Sequence, residues 1–185
     1  MWLLNSSIGK KLIMSISGLF LILFLVFHLC MNIAAVFSGE AYNVICGLLG
    51  SNWYALLGTL VLAAGVVVHF VYAIILTLQN RKARGNDRYA INARPKGVEW
   101  ASQNLFVLGV IVILFLVLNT VLSLIWFVAL WCHLTHGFWS AIHTIGWNNT
   151  VWLSRWECIS KWVATIICGL FAVITVIFYL NGVGA

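Results

Sequence analysis

Charge and proline are what this chain lacks. Only 8% of its 185 residues are Asp, Glu, Lys or Arg, and there is a single proline. About a quarter of an ordinary soluble domain is charged, so a water-facing globule is excluded. No charged residue at all lies between Trp100 and Ser154. The 5 cysteines (Cys30, Cys46, Cys132, Cys158 and Cys168) never fall in CxxC spacing. That argues against a CxxC zinc site and against covalent haem attachment through CxxCH. Inside apolar runs a cysteine usually behaves as a small buried hydrophobe.

Hydrophobic length takes the place of charge: 63% of the residues are apolar. Runs of this length are read as membrane spans. Five are expected, at residues 12–36, 53–78, 103–119, 120–145 and 162–181. The predicted fold is an all-α integral membrane bundle of five transmembrane helices, one domain over residues 1–185. Lys10 and Lys11 ahead of an apolar run could open a signal peptide. The run continues to Phe37, which is too long for a signal-peptide core, so a retained first helix is expected.

The basic residues orient the bundle. Lys10 and Lys11 precede the first span; Arg81, Lys82, Arg84, Arg88, Arg94 and Lys96 lie between the second and third; Arg155 and Lys161 lie between the fourth and fifth. Lysine and arginine mark the cytoplasmic side, and a cytoplasmic N-terminus with the C-terminus outside puts all 10 on it. Topology thus accounts for the net charge of +6, and no nucleic-acid partner is implied. Trp53, Tyr54, Trp100, Trp147, Trp152, Trp156 and Trp162 stand near span ends, where interfacial aromatic belts form.

One junction resists this plan. The stretch from Val110 to His136 has neither Gly nor Pro, and Asn119–Thr120 alone is too short to reverse a chain between two helices. A loop is therefore expected to be missing between Asn119 and Thr120.

Histidines inside apolar spans are costly and usually functional. Two axial imidazoles on one haem must come from two helices at the same depth. At 1.5 Å per residue, His28 lies about 25 Å from the inner edge and His69 about 24 Å from the outer edge, so these two cannot share an iron. His133 and His136, in "WCHLTHGFWSA", both come level with His69, and depth alone does not choose between them. Gly65 and Gly137, four residues from His69 and His133, would let a flat macrocycle approach the backbone. The plainer alternative is that each histidine only bonds to a neighbouring helix. A zinc site through His133 and His136 lacks further ligands nearby. His143 is placed near the inner interface, where a solvated histidine is ordinary.

The stretches "FHLCMNIAAVFSGEAYN", "NWYALLGT", "LTLQNRKARGNDRYAINARPKGVEWASQN" and "ALWCHLTHGFWSA" resemble the cytochrome b membrane-anchor subunit of succinate:quinone oxidoreductases (succinate dehydrogenase or fumarate reductase). The likeness is to the single-chain, five-helix, two-haem type of Bacteroides-like bacteria, and it covers nearly the whole chain. The resemblance implies an inner haem b held by His69 and His133, with His136 as a neighbour. It implies an outer haem on His28 and a third-helix residue. That position holds Asn119 here, a poor iron ligand, so the outer haem is lost, altered, or served by a residue outside this sequence.

The resemblance further implies a multi-pass protein of the bacterial inner membrane. A flavoprotein and an iron–sulfur subunit would dock on its cytoplasmic face. Electrons would pass through haem to a quinone, menaquinone being the expected one, in respiratory electron transport and the tricarboxylic acid cycle. No succinate or fumarate chemistry is expected on this chain. The segment Asn80–Gln103, with its basic residues, would offer a docking surface, although positive-inside signalling alone also accounts for it. Glu40, the only carboxylate on the outer side, could take a proton at an outer quinone site; a solvated loop residue is the plainer reading. Two other classes remain open: a haem b subunit of a hydrogenase or formate dehydrogenase, and a haem-free scaffold or transporter.

Overall fold

The computed structural model describes residues 6–50, 52–84, 104–114, 120–147 and 149–181. They form six helices: α1 Ser7–Phe37, α2 Gly39–Gly50, α3 Trp53–Arg84, α4 Leu105–Leu114, α5 Thr120–Ile145 and α6 Thr150–Leu180. No strand occurs among the described residues. Four helical stretches are long and apolar enough to cross a membrane: Ser7–Phe37, Trp53–Ala83, Leu122–Ile145 and Thr150–Leu180. The expected third span is described only as Leu105–Leu114. Asn119, the Asn119–Thr120 junction and most of the Asn80–Gln103 segment lie outside the described residues.

Capping chemistry, more than hydropathy, sets the helix ends. The Ser6 hydroxyl accepts the Gly9 N–H at 2.9 Å, an N-cap that starts α1 ahead of its expected apolar boundary. Ser38 does two jobs. In extended conformation (φ −157°, ψ 118°) its N–H donates to the Ala34 carbonyl at the end of α1. Its hydroxyl then accepts the Ala41 N–H at 3.2 Å, opening α2 in what had been expected to be a plain connection. α6 starts at Thr150, well before the expected residue 162, because the Asn149 side chain accepts the Trp152 N–H at 2.8 Å. A helix needs a cap to begin, not an apolar surrounding, so α6 forms through the charged stretch. There Lys161 and Glu157 pair one turn apart at 2.8 Å.

α5 and α6 are joined by a tight turn that needs glycine. Gly146 has φ +100°, a region that side chains with a Cβ enter only with strain. Its N–H donates to the His143 carbonyl at 3.2 Å, and the Trp147 N–H donates to that of Ile142 at 3.3 Å. Together these are a Schellman closure.

Large apolar side chains are left exposed while small hydroxyls are buried among the apolar core residues. Leu56, Leu57, Leu60, Val67 and Val128 are exposed, while Ser15, Ser17, Thr135 and Ser160 are buried. Helices gain nothing from hiding leucine from lipid tails, and small residues let backbones approach. On α6 the small residues Ser160, Ala164 and Cys168 recur every fourth position among its buried side chains. That stripe belongs to the α5–α6 pair, the most extensive helix contact in the fold. The buried hydroxyls stay satisfied within their own helices: Ser15 on Lys11, Thr135 on Cys132 and Ser160 on Glu157 carbonyls. Between helices, the Trp131 indole N–H donates to Thr165 Oγ1 at 2.9 Å. α1 is the hub, packing on α2, α3, α5 and α6.

Candidate functional site

His69 projects from the long apolar helix α3 and His133 from α5. Their ring centres stand 6.2 Å apart, with planes at 73°. Among the described residues, the backbones of α3 and α5 stand apart, while α1 and α4 each pack on both. The two imidazoles therefore bridge two helices whose backbones do not meet. The expected equal depth of these two histidines is what the fold delivers.

Each imidazole rests on a glycine of a neighbouring helix. A Cβ on Gly18 of α1 would come within 3.1 Å of His69 Cε1 and 3.6 Å of its Nδ1; a Cβ on Gly109 of α4 would come within 3.3 Å of His133 Cε1 and 3.6 Å of its Nδ1. In both residues the Nδ1–Cε1 edge lies on that wall, which leaves Nε2 as the nitrogen away from it. The expectation had fixed on glycines of the histidines' own helices. Those sit elsewhere: Gly65 faces the Phe20 ring, 2.6 Å from where its Cβ would be, and Gly137 has nothing within 4 Å of its Cβ position. A residue four positions away shares a helix face, but these rings lean across to the next helix. The sequence signal for Gly18 was its depth, about 10 Å past Lys11, which matches the level of His69.

The second contacts of the pair are unequal. Ser17 Oγ lies 3.1 Å from His69 Nδ1. His133 Nδ1 is buried and completes no hydrogen bond.

Whether this arrangement suits a metal held between the rings can be tested on its spacing. With metal–imidazole bonds of about 2 Å and about 1.1 Å from nitrogen to ring centre, two rings on opposite sides of one metal have centres about 6 Å apart. The observed separation fits. An edge-to-face contact of two bare rings has the same spacing, and spectroscopy separates the two. Among the described residues no cluster of three or more His, Cys, Asp or Glu could hold a metal ion. A bare ion such as zinc would thus lack ligands here, whereas a macrocycle that brings its own four nitrogens needs only the two axial imidazoles. The spacing of the two imidazoles is the one that a haem held between them would need.

The other expected residues fall away from this pair. His28 is flanked by Phe24 at 5.6 Å and Phe171 of α6 at 5.8 Å between ring centres, with no second histidine ring against it. His136 packs on Trp139 at 5.7 Å, and Trp139 in turn on His143 at 5.5 Å, a ring column running down α5 from the candidate site. Glu40 is exposed in the first turn of α2, where a carboxylate favours the helix N-terminus. Aromatic side chains cluster at two helix starts. Trp147 stacks on Trp156 and Trp152 lies tilted against it beside the α5–α6 turn, with the Arg155 guanidinium 5.1 Å from the Trp152 ring centre. Trp53 and Tyr54 sit edge to face at the start of α3.

Comparison of the chain with protein-family models, with curated proteins and with solved structures finds no match.

Proposed function

We propose that this chain is the haem b membrane-anchor subunit of a succinate:quinone oxidoreductase, with one haem ligated by His69 and His133. The observation that carries the reading is the 6.2 Å approach of two imidazoles from helices whose backbones stand apart. The resemblance of the sequence stretches around these residues supplies the kind of complex. The proposal includes five spans with a cytoplasmic N-terminus in a bacterial inner membrane. It also includes flavoprotein and iron–sulfur partners on the basic face, and menaquinone as the electron acceptor or donor.

Bound between the two histidines, a haem would supply one-electron transfer between its ferric and ferrous states. The chain's own residues have definite tasks. His69 and His133 would hold the group from both sides, so it would pass electrons and not bind oxygen. Gly18 and Gly109 give each ring room to set its Nδ1–Cε1 edge against a neighbouring helix. The apolar surroundings keep water from the pair and favour the less charged redox state. A second haem at His28 has no partner imidazole among the described residues, and the proposal is for a single site.

The test is a reduced-minus-oxidised spectrum with haem extraction, on protein purified from cells supplied with haem. The expected result is b-type bands at one haem per chain, lost in His69→Gln and His133→Gln and kept in His28→Gln. Reduction of the haem by succinate in the co-purified complex identifies the partners. Absence of b-type bands from the folded wild-type chain would favour the haem-free scaffold instead.

A further inference from the structure

The inequality between the two imidazoles has a chemical cause at Ser17. A serine hydroxyl owns one hydrogen. Ser17 Oγ–H is directed at the Met14 carbonyl, 3.0 Å away on the preceding turn of α1. The hydroxyl oxygen is then left to accept, and the atom it faces at 3.1 Å is His69 Nδ1. A hydroxyl oxygen whose hydrogen goes to a carbonyl calls for a ring N–H at Nδ1. Ser17 is buried, so water does not compete for the bond.

We infer that Ser17 is a positioning residue: it holds the single proton of neutral His69 on Nδ1, in the relay Nδ1–H to Ser17 Oγ–H to Met14 carbonyl, and so presents the Nε2 lone pair to the space facing His133. Gly18, the next residue, works with it by letting the Nδ1–Cε1 edge of the ring come close enough to α1 to reach the hydroxyl. The second imidazole has no counterpart, since His133 Nδ1 is without a partner. His69 is therefore the stronger donor of the pair. A ligating imidazole that donates its other N–H becomes more basic, which favours the more oxidised metal and lowers the reduction potential.

The tautomer part of this inference stands whether or not haem is bound; the potential part rests on the haem reading. Two measurements separate them. In the full chain expressed without haem and labelled with 15N at histidine, His69 is assigned by its loss in His69→Gln. The expected nitrogen spectrum is that of a neutral ring protonated on Nδ1; a ring protonated on Nε2 overturns the inference. In the haem-loaded chain, Ser17→Ala should keep the low-spin two-imidazole spectrum and shift the midpoint potential to more positive values. Ser17→Thr, which retains the hydroxyl, should return it toward wild type. Equal potentials in the Ser, Ala and Thr forms overturn the inference even where the spectrum is normal. A folded wild-type chain with no haem at all defeats the proposed function and leaves the tautomer result as the deciding one. Should Ser17→Ala not accumulate as folded protein, the nitrogen spectrum of the wild-type chain decides alone.

Discussion

Gly18→Ala adds one methyl group where α1 touches His69, and its effects on folding and on the site should part company. The new Cβ would stand 3.1 Å from Cε1. A relaxed carbon–carbon contact is about 3.5–4.0 Å, so the ring must withdraw by about 0.5 Å. The Ser17–His69 contact starts at 3.1 Å. A withdrawal of that size takes it to about 3.6 Å, outside hydrogen-bonding range. Losing an interhelical hydrogen bond in a membrane protein costs about 0.6 kcal/mol on average. Alanine in a helix interior is better than glycine by about 0.5–1 kcal/mol. The two nearly cancel, and since about 1 kcal/mol moves the midpoint of a chain this size by roughly 2–4 °C, thermal unfolding should change little. The site receives no such compensation, because half an ångström is a quarter of a metal–imidazole bond of about 2 Å. Haem content per purified chain should fall and the midpoint potential of what remains should rise. Gly58→Ala, where the Cβ meets nothing within 4 Å, is the control and should leave both unchanged. Full haem content at wild-type potential in Gly18→Ala would refute the reasoning.

Three further outcomes are expected. Gly146→Ala forces a Cβ into φ +100° at a cost of about 1–2 kcal/mol; the thermal unfolding midpoint should drop by several degrees with the haem spectrum of surviving protein intact. Trp131→Phe removes the 2.9 Å indole bond to Thr165 while keeping most of the apolar bulk, and should lower stability by about 0.5–1 kcal/mol, read as a reduced unfolding midpoint in detergent. Glu40→Gln should slow quinone turnover and leave haem bands as they are; turnover at the wild-type rate removes this exposed carboxylate from proton transfer.

Much of the fold was readable because the membrane limits the choices. Lipid offers no hydrogen-bond partner, so long apolar runs must be helices, and α5 occupies the expected residues 120–145. The ends were less readable where a polar side chain starts a helix early. Asn149 extends α6 back through Arg155 and Lys161, and Ser38 opens α2 in the stretch between the first two expected spans. For the site, counting residues at a fixed rise brought His69 and His133 level but could not separate His133 from His136. The fold separates them by direction: the His133 ring turns to His69, and the His136 ring to Trp139.

The sequence by itself determined the helical content and the apolar length of the helices, because these depend on composition and on rise along one helix. Which rings face each other, which glycines lie beneath them and which imidazole has a hydroxyl to hold its proton were decided only by the tertiary structure. Those properties depend on how α1, α3, α4 and α5 rotate about their own axes against one another. That rotation is fixed by contacts between residues far apart in the chain, such as Gly18 with His69 and Gly109 with His133.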